Sequence, residues 1–456
     1  MFQNYQFIIN KGDKMKWIAG GLLLGVLSTS YAARIAVIDS GLDTQHEAMT
    51  RNLWTNSLEV EDRRDNDGNG YQDDVHGWNF AEQNGRLLDK KFLGIFSPDC
   101  KKFFDIQGKI FLDQASEEEI EWLKSKTSDA KFISELSKFG NFVHGTHVAG
   151  ITISDSQNEV MGIKLIPTEI KPFFQGLLSQ KNLPDRWDLI QLGFEKLAEQ
   201  QMSLLAEIGS FIHLHKMDVA NGSFGTGFNQ AKMFGDIAFR VLFFRKPRPD
   251  ESLRAARIFM DALLTKGEKF VASAPNTLFV FAAGNDGLSN DDYGTSPANI
   301  KADNSITVGA TYKNEFFAPF SNYGVNMVDI AAPGMLVHSP IPGNDYLEVS
   351  GTSQAAPYVA RVAGMIKDAN PKLTPSDIKK ILMGTVDKKA YLKTKVAAGG
   401  VVNPQRAIYA ADLSKKFPLI VAITTSKVRI SDAFVHESKE LKVDAIYPMP
   451  IFSLFK

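Results

Sequence analysis

A short apolar run, Arg34-Ile35-Ala36-Val37-Ile38, rich in β-branched residues and closed by Asp39-Ser40-Gly41, constrains this chain most. A run so short and continuous fits a strand buried on both faces, as in a parallel sheet. Its end sets a carboxylate, Asp39, at the carboxyl edge of the strand, where open α/β sheets place their active sites. A second run, Phe279-Val280-Phe281-Ala282-Ala283, closes in Gly284-Asn285-Asp286-Gly287 and reads as another buried strand ending in a small-residue turn.

Three segments then supply an acid, an imidazole and a hydroxyl in chain order. They are Asp39, His144 in His144-Gly145-Thr146-His147-Val148-Ala149-Gly150, and Ser353 in Gly351-Thr352-Ser353-Gln354-Ala355-Ala356-Pro357. A serine hydroxyl is a poor nucleophile at neutral pH. It needs an imidazole to take its proton and a carboxylate to hold that imidazole in the right tautomer. All three residues are expected at junctions between a strand or turn and a helix. The spacing Val359, Val362, Ala363, Ile366 predicts a helix after Ser353, with Pro357 tolerated near its start. Taken singly, each has an ordinary alternative. Asp39 would cap a turn, His144 would be a satisfied structural histidine (the reading given to His147), and Ser353 would be an N-cap.

The three segments resemble the Asp, His and Ser motifs of the subtilisin-like serine proteases, the subtilase family, and the likeness runs with interruptions from about residue 34 to about residue 411. The resemblance implies a three-layer α/β fold, a mainly parallel central sheet flanked by helices. It also implies a secreted endopeptidase that hydrolyses peptide bonds through an acyl-enzyme on Ser353. Asn285 would donate its side-chain amide, beside the Ser353 N–H, to the charge that develops on the former carbonyl oxygen. Asp218-Val219-Ala220-Asn221-Gly222-Ser223-Phe224-Gly225 resembles the strand that lies beside an extended substrate. Ser223, Phe224 and Gly225 would wall one side of the main specificity pocket, and Ala283 and Gly284 the other. Phe320-Ser321-Asn322-Tyr323-Gly324 and Asp329-Ile330-Ala331-Ala332-Pro333-Gly334 resemble the approach to the nucleophile. Gln354, Tyr358 and Arg361 depart from the family pattern, which favours Met, His and a small residue there, but they remove no catalytic group.

A second chemical signal is Asp65-Asn66-Asp67-Gly68-Asn69-Gly70-Tyr71-Gln72-Asp73-Asp74. It matches the first half of an EF-hand-type calcium pattern, with oxygen donors at positions one, three and five and glycine at six. The expected Ca2+ ligands are Asp65, Asp67, Asn69, Tyr71 and Asp73. His76 stands at the twelfth position in place of Glu, so Asp73 or Asp74 has to supply the remaining carboxylate. An acidic turn without metal is the alternative. Calcium is favoured because so many acids in one short loop repel each other without a cation.

Lys11, Lys14 and Lys16 precede the apolar run Trp17 to Leu27 and then Ser28-Thr29-Ser30-Tyr31-Ala32. This predicts a secretory signal peptide over residues 1–32, with Met15 an alternative start. The run falls short of the ~20 residues a membrane span requires. Export to a periplasm or the medium is therefore expected, with no stable membrane anchor. The single cysteine, Cys100, rules out an intramolecular disulfide, which leaves calcium as the expected brace. The strand at 34–38 follows the expected cleavage site at once and leaves no length for an amino-terminal propeptide. A catalytic domain over 33–412 is thus expected to fold unaided or with help from the tail, 413–456.

The 456 residues, 44% of them hydrophobic, can bury the core of one large domain. A formal net charge of -1 argues against a nucleic-acid partner. Polypeptide substrates and a monomer are expected. Stretches near 85–140, 174–200 and 228–250 exceed the family pattern and read as insertions that rim the cleft or decorate the surface. Within and around them, Glu117 to Lys126 fits an exposed helix and Trp187 to Ile208 an amphipathic one on the sheet. Leu373-Thr374-Pro375-Ser376 fits a capped helix start. His213 and His215 read as two structural or exposed histidines rather than a metal pair, and Leu419-Ile420-Val421-Ala422-Ile423 as β-prone. Phe224 and the small residues opposite suggest an apolar pocket. A catalytically idle, peptide-binding scaffold is the competing class. The set of Asp39, His144, Ser353 and Asn285 favours the enzyme, because a scaffold has no need of all four.

Overall fold

The computed structural model describes residues 31–169 and 186–432. The signal-peptide reading, apart from its last two residues, lies outside them, as do part of the stretch near 174–200 and the tail beyond 432. The strands are β1 (Arg34–Asp39), β2 (Gly77–Asn79), β3 (Glu159–Lys164), β4 (Val219–Gly222), β5 (Leu278–Ala282), β6 (Ser305–Tyr312), β7 (Phe316–Phe317), β8 (Ile330–Pro333), β9 (Val337–Ile341), β10 (Asp345–Val349), β11 (Asp387–Lys388) and β12 (Gly400–Val401). The helices are α1 (Pro98–Phe111), α2 (Glu117–Thr127), α3 (Ala130–Ile153), α4 (Arg186–Leu214), α5 (Phe228–Phe243), α6 (Pro249–Ala272), α7 (Thr352–Ala369), α8 (Pro375–Gly384), α9 (Pro404–Leu413) and α10 (Leu419–Arg429).

Among the described residues the main sheet runs β11-β12-β8-β6-β5-β4-β1-β3-β2, with β7 hung on β6. Its pairs are parallel except β11 with β12 and β6 with β7. Because β1 lies between β3 and β4, the strand order reverses there, which opens a crevice at the carboxyl end of β1. Alternate side chains of the central strands feed two cores. Ile35 and Val37 of β1 and Val280 of β5 pack with α3, α7, α8 and α9. Ala36, Ile38, Phe279 and Phe281 pack on the other face with α4, α5 and α6. The result is the expected three-layer α/β architecture, with a mainly parallel sheet between two helical layers.

The segments 186–200 and 228–250 are not surface loops. Ile190, Phe194 and Ala198 of α4 and Phe239 of α5 are buried in the second core, so these stretches build part of that layer. The stretch at 85–140 forms α1, α2 and the first half of α3. It has a core of its own, in which Phe103, Phe104, Leu123, Phe132 and Phe139 meet Ile341, Leu347 and Val349 of the β9–β10 hairpin. Helix α2 starts in a capping box of Ser116 and Glu119, with acids in its first turn and lysines in its last. Helix α8 starts the same way, at Thr374 and Asp377.

The β-prone reading of residues 419–423 gives way to helix α10. Ala422 and Ser426 are buried, and Leu419 and Ile423 pack against the first core, a helical i, i+3, i+4, i+7 stripe. Arg406 of α9 donates from Nε to the Ile430 carbonyl, 2.8 Å away, and ties off the end of α10. Among the described residues, no helix is long and apolar enough to cross a membrane.

Candidate active site

Asp39 ends β1 and is fully buried. His144 does not open a helix as expected. It lies well inside α3, because the inserted segment runs straight into that helix and lengthens it from Ala130. The helix reaches β1 only through two glycines. A Cβ on Gly145 would meet the Gly41 carbonyl oxygen at 2.0 Å. Gly41 itself adopts φ +112, and a Cβ there would meet the Leu87 carbonyl oxygen at 2.0 Å. Hydrogen bonds lock the approach. Gly145 N donates to Ser40 Oγ at 3.0 Å, and Asp43 N donates to Thr146 Oγ1 at 3.0 Å.

This crossing brings His144 Nδ1 to 2.7 Å from Asp39 Oδ1, which also accepts from Ser40 N at 2.7 Å. A carboxylate only accepts, so Nδ1 carries the proton and Nε2 is the basic nitrogen. His147, one helical turn on, is a different case. Its Nε2 donates to the Val337 and Leu347 carbonyls at 3.1 and 3.0 Å, and burial pushes its pKa down to about 3. Neutral and fully committed, His147 pins α3 to the β9–β10 hairpin, the structural role expected of it. Gln354, beside Ser353, reaches the same ring at 3.5 Å.

Ser353 occupies the first turn of α7, where helix N–H groups have no acceptor within the helix. It is 8% exposed. Its Oγ donates to the Ser223 carbonyl at 3.2 Å. In return Ser223 Oγ donates to the Ser353 carbonyl at 2.8 Å and accepts from Asn221 Nδ2 at 2.9 Å. Asn285 follows β5, and its Oδ1 accepts from Thr352 N at 2.8 Å and Thr352 Oγ1 at 2.9 Å. These bonds settle the orientation of the amide and leave Nδ2, a donor, as its other end. Thr352 Oγ1 accepts in turn from Gly284 N at 3.1 Å. Asn322 Oδ1 holds the same turn by accepting from Asp286 N at 2.9 Å and Leu288 N at 3.1 Å. The supporting residues Asn221, Thr352 and Asn322 lie inside the sequence motifs that carry the family resemblance. Thr352 and Asn322 act on segments remote in sequence, which no local pattern reveals, whereas Asn221 acts on Ser223 two residues on.

Beyond β4 the chain from Ser223 to Gly225 leaves the sheet. Thr226 pairs with Ser296 in both directions, at 2.8 and 3.1 Å. A Cβ on Gly225 would meet the Ser296 carbonyl oxygen at 2.7 Å, so this wall is closed against a loop from beyond β5. Phe224 differs from its expected part as a pocket surface. It is buried in the second core and, with Phe281, flanks Gly222. The ring packs inward in a core that also holds Phe228, Phe279 and Phe281. Ala283 is fully buried and Gly284 half-buried on the opposite side.

The acidic loop folds differently from the EF-hand order. Asp65 accepts from Asn69 N and Gly70 N at 3.0 and 2.8 Å, and Asp73 Oδ1 accepts from Asp62 N and Arg63 N at 3.0 and 2.9 Å. Both carboxylates therefore cap turns. The Tyr71 ring packs against Trp78, Phe80 and Phe211. The groups that converge are Glu59, Asp67 and Asp74, each offering a carboxylate oxygen within 4.8 Å of the others. Asn69 stays with them, its Nδ2 donating to Asp67 and Asp74 at 3.1 Å, and Asn56 Nδ2 donates to the same pair at 3.0 and 2.9 Å. His215, from the far end of α4, brings Nε2 to 3.0 Å from Asp74 Oδ2, whereas His213 is exposed. Of the five expected ligands, Asp67 and Asn69 are in the cluster. The carboxylates of Asp65 and Asp73 lie outside that converging set, and Tyr71 stands at the position whose ligand would be its main-chain carbonyl, which the packing of its ring does not engage.

Several known proteins are similar to this chain in sequence. Over 403 residues the chain is 25% identical to "Subtilisin-like protease 1" of Plasmodium vivax, covering 85% of this chain and 49% of that protein. Over 136 residues it is 39% identical to "Alkaline elastase YaB" of Bacillus sp. (strain YaB), covering 30% of this chain and 34% of that one. The chain thus spans about half the length of the Plasmodium relatives it matches. Among solved structures, a cold adapted subtilisin-like serine proteinase overlaps 81% of this chain and 89% of its own at 18% identity, with a TM-score of 0.40. The A-subunit of the AB5 toxin from E. coli overlaps 84% and 93% at 18% identity, with a TM-score of 0.47. The family model described as "Subtilase family" matches residues 31–405, most of the chain, and the chain belongs to that family.

Proposed function

We propose that this chain is a serine endopeptidase that cleaves polypeptides through an acyl-enzyme on Ser353. The buried 2.7 Å contact of His144 Nδ1 with Asp39, at the point where the strand order reverses, carries this reading. It puts the proton on Nδ1 and leaves Nε2 to act as base. Ser353 Oγ attacks the scissile carbonyl carbon while His144 Nε2 takes its proton, and Asp39 stabilises the imidazolium that forms. The tetrahedral oxyanion is received by Asn285 Nδ2 and the Ser353 N–H. His144 then protonates the leaving amine, and water, deprotonated by His144, releases the acid.

At rest the Ser353 hydroxyl donates to the Ser223 carbonyl. An extended peptide that pairs its own N–H with that carbonyl takes the acceptor away and returns the hydroxyl to His144. Ser223, Gly225, Ala283 and Gly284 are the proposed walls of the groove, with Phe224 supporting them from the core.

The donor set of Glu59, Asp67 and Asp74 fits a hard divalent cation. All three are oxygen acids, and Glu59 and Asp74 are buried like charges. The proposed role of Ca2+ there is structural. Export is part of the same reading and rests on residues 1–32.

A fluorophosphonate probe tests the function. Labelling of the folded protein, lost in Ser353→Ala, is expected. A correctly folded wild type that does not label would leave the peptide-binding scaffold as the better reading.

A further inference from the structure

Helix α7 carries a proline inside it, Pro357, four residues after Ser353. In an unbroken α-helix the N–H of residue 357 would donate to the carbonyl of residue 353. Proline has no N–H, and its ring crowds that carbonyl aside. The carbonyl left without its helical donor is thus that of Ser353 itself. Ser223 Oγ donates to it at 2.8 Å. The direction of that bond is fixed because a carbonyl oxygen only accepts, and Asn221 Nδ2 donates into the same Ser223 oxygen at 2.9 Å. Asn221 is fully buried and Ser223 1% exposed, so water does not compete freely for either.

We propose that Ser223 is a positioning residue for Ser353, its hydroxyl standing in for the amide that Pro357 lacks. The proposal rests on the protease reading above and deepens it. The bond holds the main chain at Ser353, and with it the directions of Oγ and of the N–H that would meet the oxyanion. It also makes the substrate-side segment and the nucleophile's helix one hydrogen-bonded unit, since Ser353 Oγ donates back to the Ser223 carbonyl.

The test uses full-length protein and compares Ser223→Ala, Pro357→Ala and the double variant. The readouts are the rate of fluorophosphonate labelling, the kcat and KM for a fluorogenic casein, and the melting temperature. Ser223→Ala is expected to label about three- to tenfold more slowly, the range of one net hydrogen bond, with the loss in kcat rather than KM. Pro357→Ala restores an N–H at the missing position, so the double variant is expected to recover most of the lost rate. A purely stabilising Pro357→Ala would raise the melting temperature in both backgrounds and leave the labelling deficit of Ser223→Ala unchanged. That result overturns the proposal, as does a Ser223→Ala variant that labels at the wild-type rate. If Ser223→Ala alone does not fold, recovery of folded, labelled protein in the double variant is the same rescue, and its absence overturns the proposal. A wild type that never labels removes the protease reading and this one with it.

Discussion

At the residue scale, the proposed oxyanion donor depends on the residue just before the nucleophile. Thr352 takes both hydrogen bonds of Asn285 Oδ1 and so decides which end of the amide faces the reaction. Asn285→Ala is expected to lower kcat by ~10²–10³, the usual cost of one such donor, with little change in KM. Thr352→Val keeps the shape and the backbone bond but loses the hydroxyl. It is expected to cost roughly tenfold in kcat, and a loss as large as that of Asn285→Ala, or none, would refute this division of labour. The run and turn that carry Asn285 are legible in the sequence. The Thr352 contact is not, because it joins residues 67 positions apart.

At the element scale, the placing of His144 rests on how closely α3 crosses the end of β1. Gly145 permits that crossing, and Gly145→Ala would push a Cβ into the Gly41 carbonyl. Overpacking of this kind costs about 1–3 kcal/mol. The expected outcome is a lowered melting temperature and a larger fractional loss of kcat, because relief of the clash lifts His144 from Asp39. A variant of wild-type stability and activity would show that the approach is not needed. Local patterns foretold several elements well. The strand at 34–38, the helix at 117–126 and the start of α8 each carry their own periodicity or capping residues. Helix α10 was misread because Ile420 and Val421 favour strands locally, whereas a stripe at Leu419, Ala422, Ile423 and Ser426 docks on the core. The start of α3 differs from the expected junction at His144 because the inserted residues from Ala130 continue the same helix and pack with α1, α2 and the β9–β10 hairpin.

At the scale of the whole molecule, the acidic loop ties the segment after β1 to the end of α4 through Asp74 and His215. Bound Ca2+ at a hundredfold excess over its Kd would add about 2.7 kcal/mol to stability. Chelation is therefore expected to lower the melting temperature by several degrees. Glu59→Gln and Asp74→Asn should remove that response, while Asp65→Asn, a turn cap, should keep it. An unchanged melting temperature on chelation would refute the cation site, and loss of the response in Asp65→Asn alone would restore the EF-hand order. By itself the sequence determined the chemistry on offer and its class, namely an acid, an imidazole, a hydroxyl and an amide at the ends of apolar runs. Such information is carried by neighbours within a few residues. Only the tertiary structure decided which acids converge in the loop, that Phe224 turns inward, that Thr352 orients Asn285, and that Ser223 takes the place of the Pro357 amide. Those choices are made by hydrogen bonds and packing between segments far apart in the chain, where local propensity has no say.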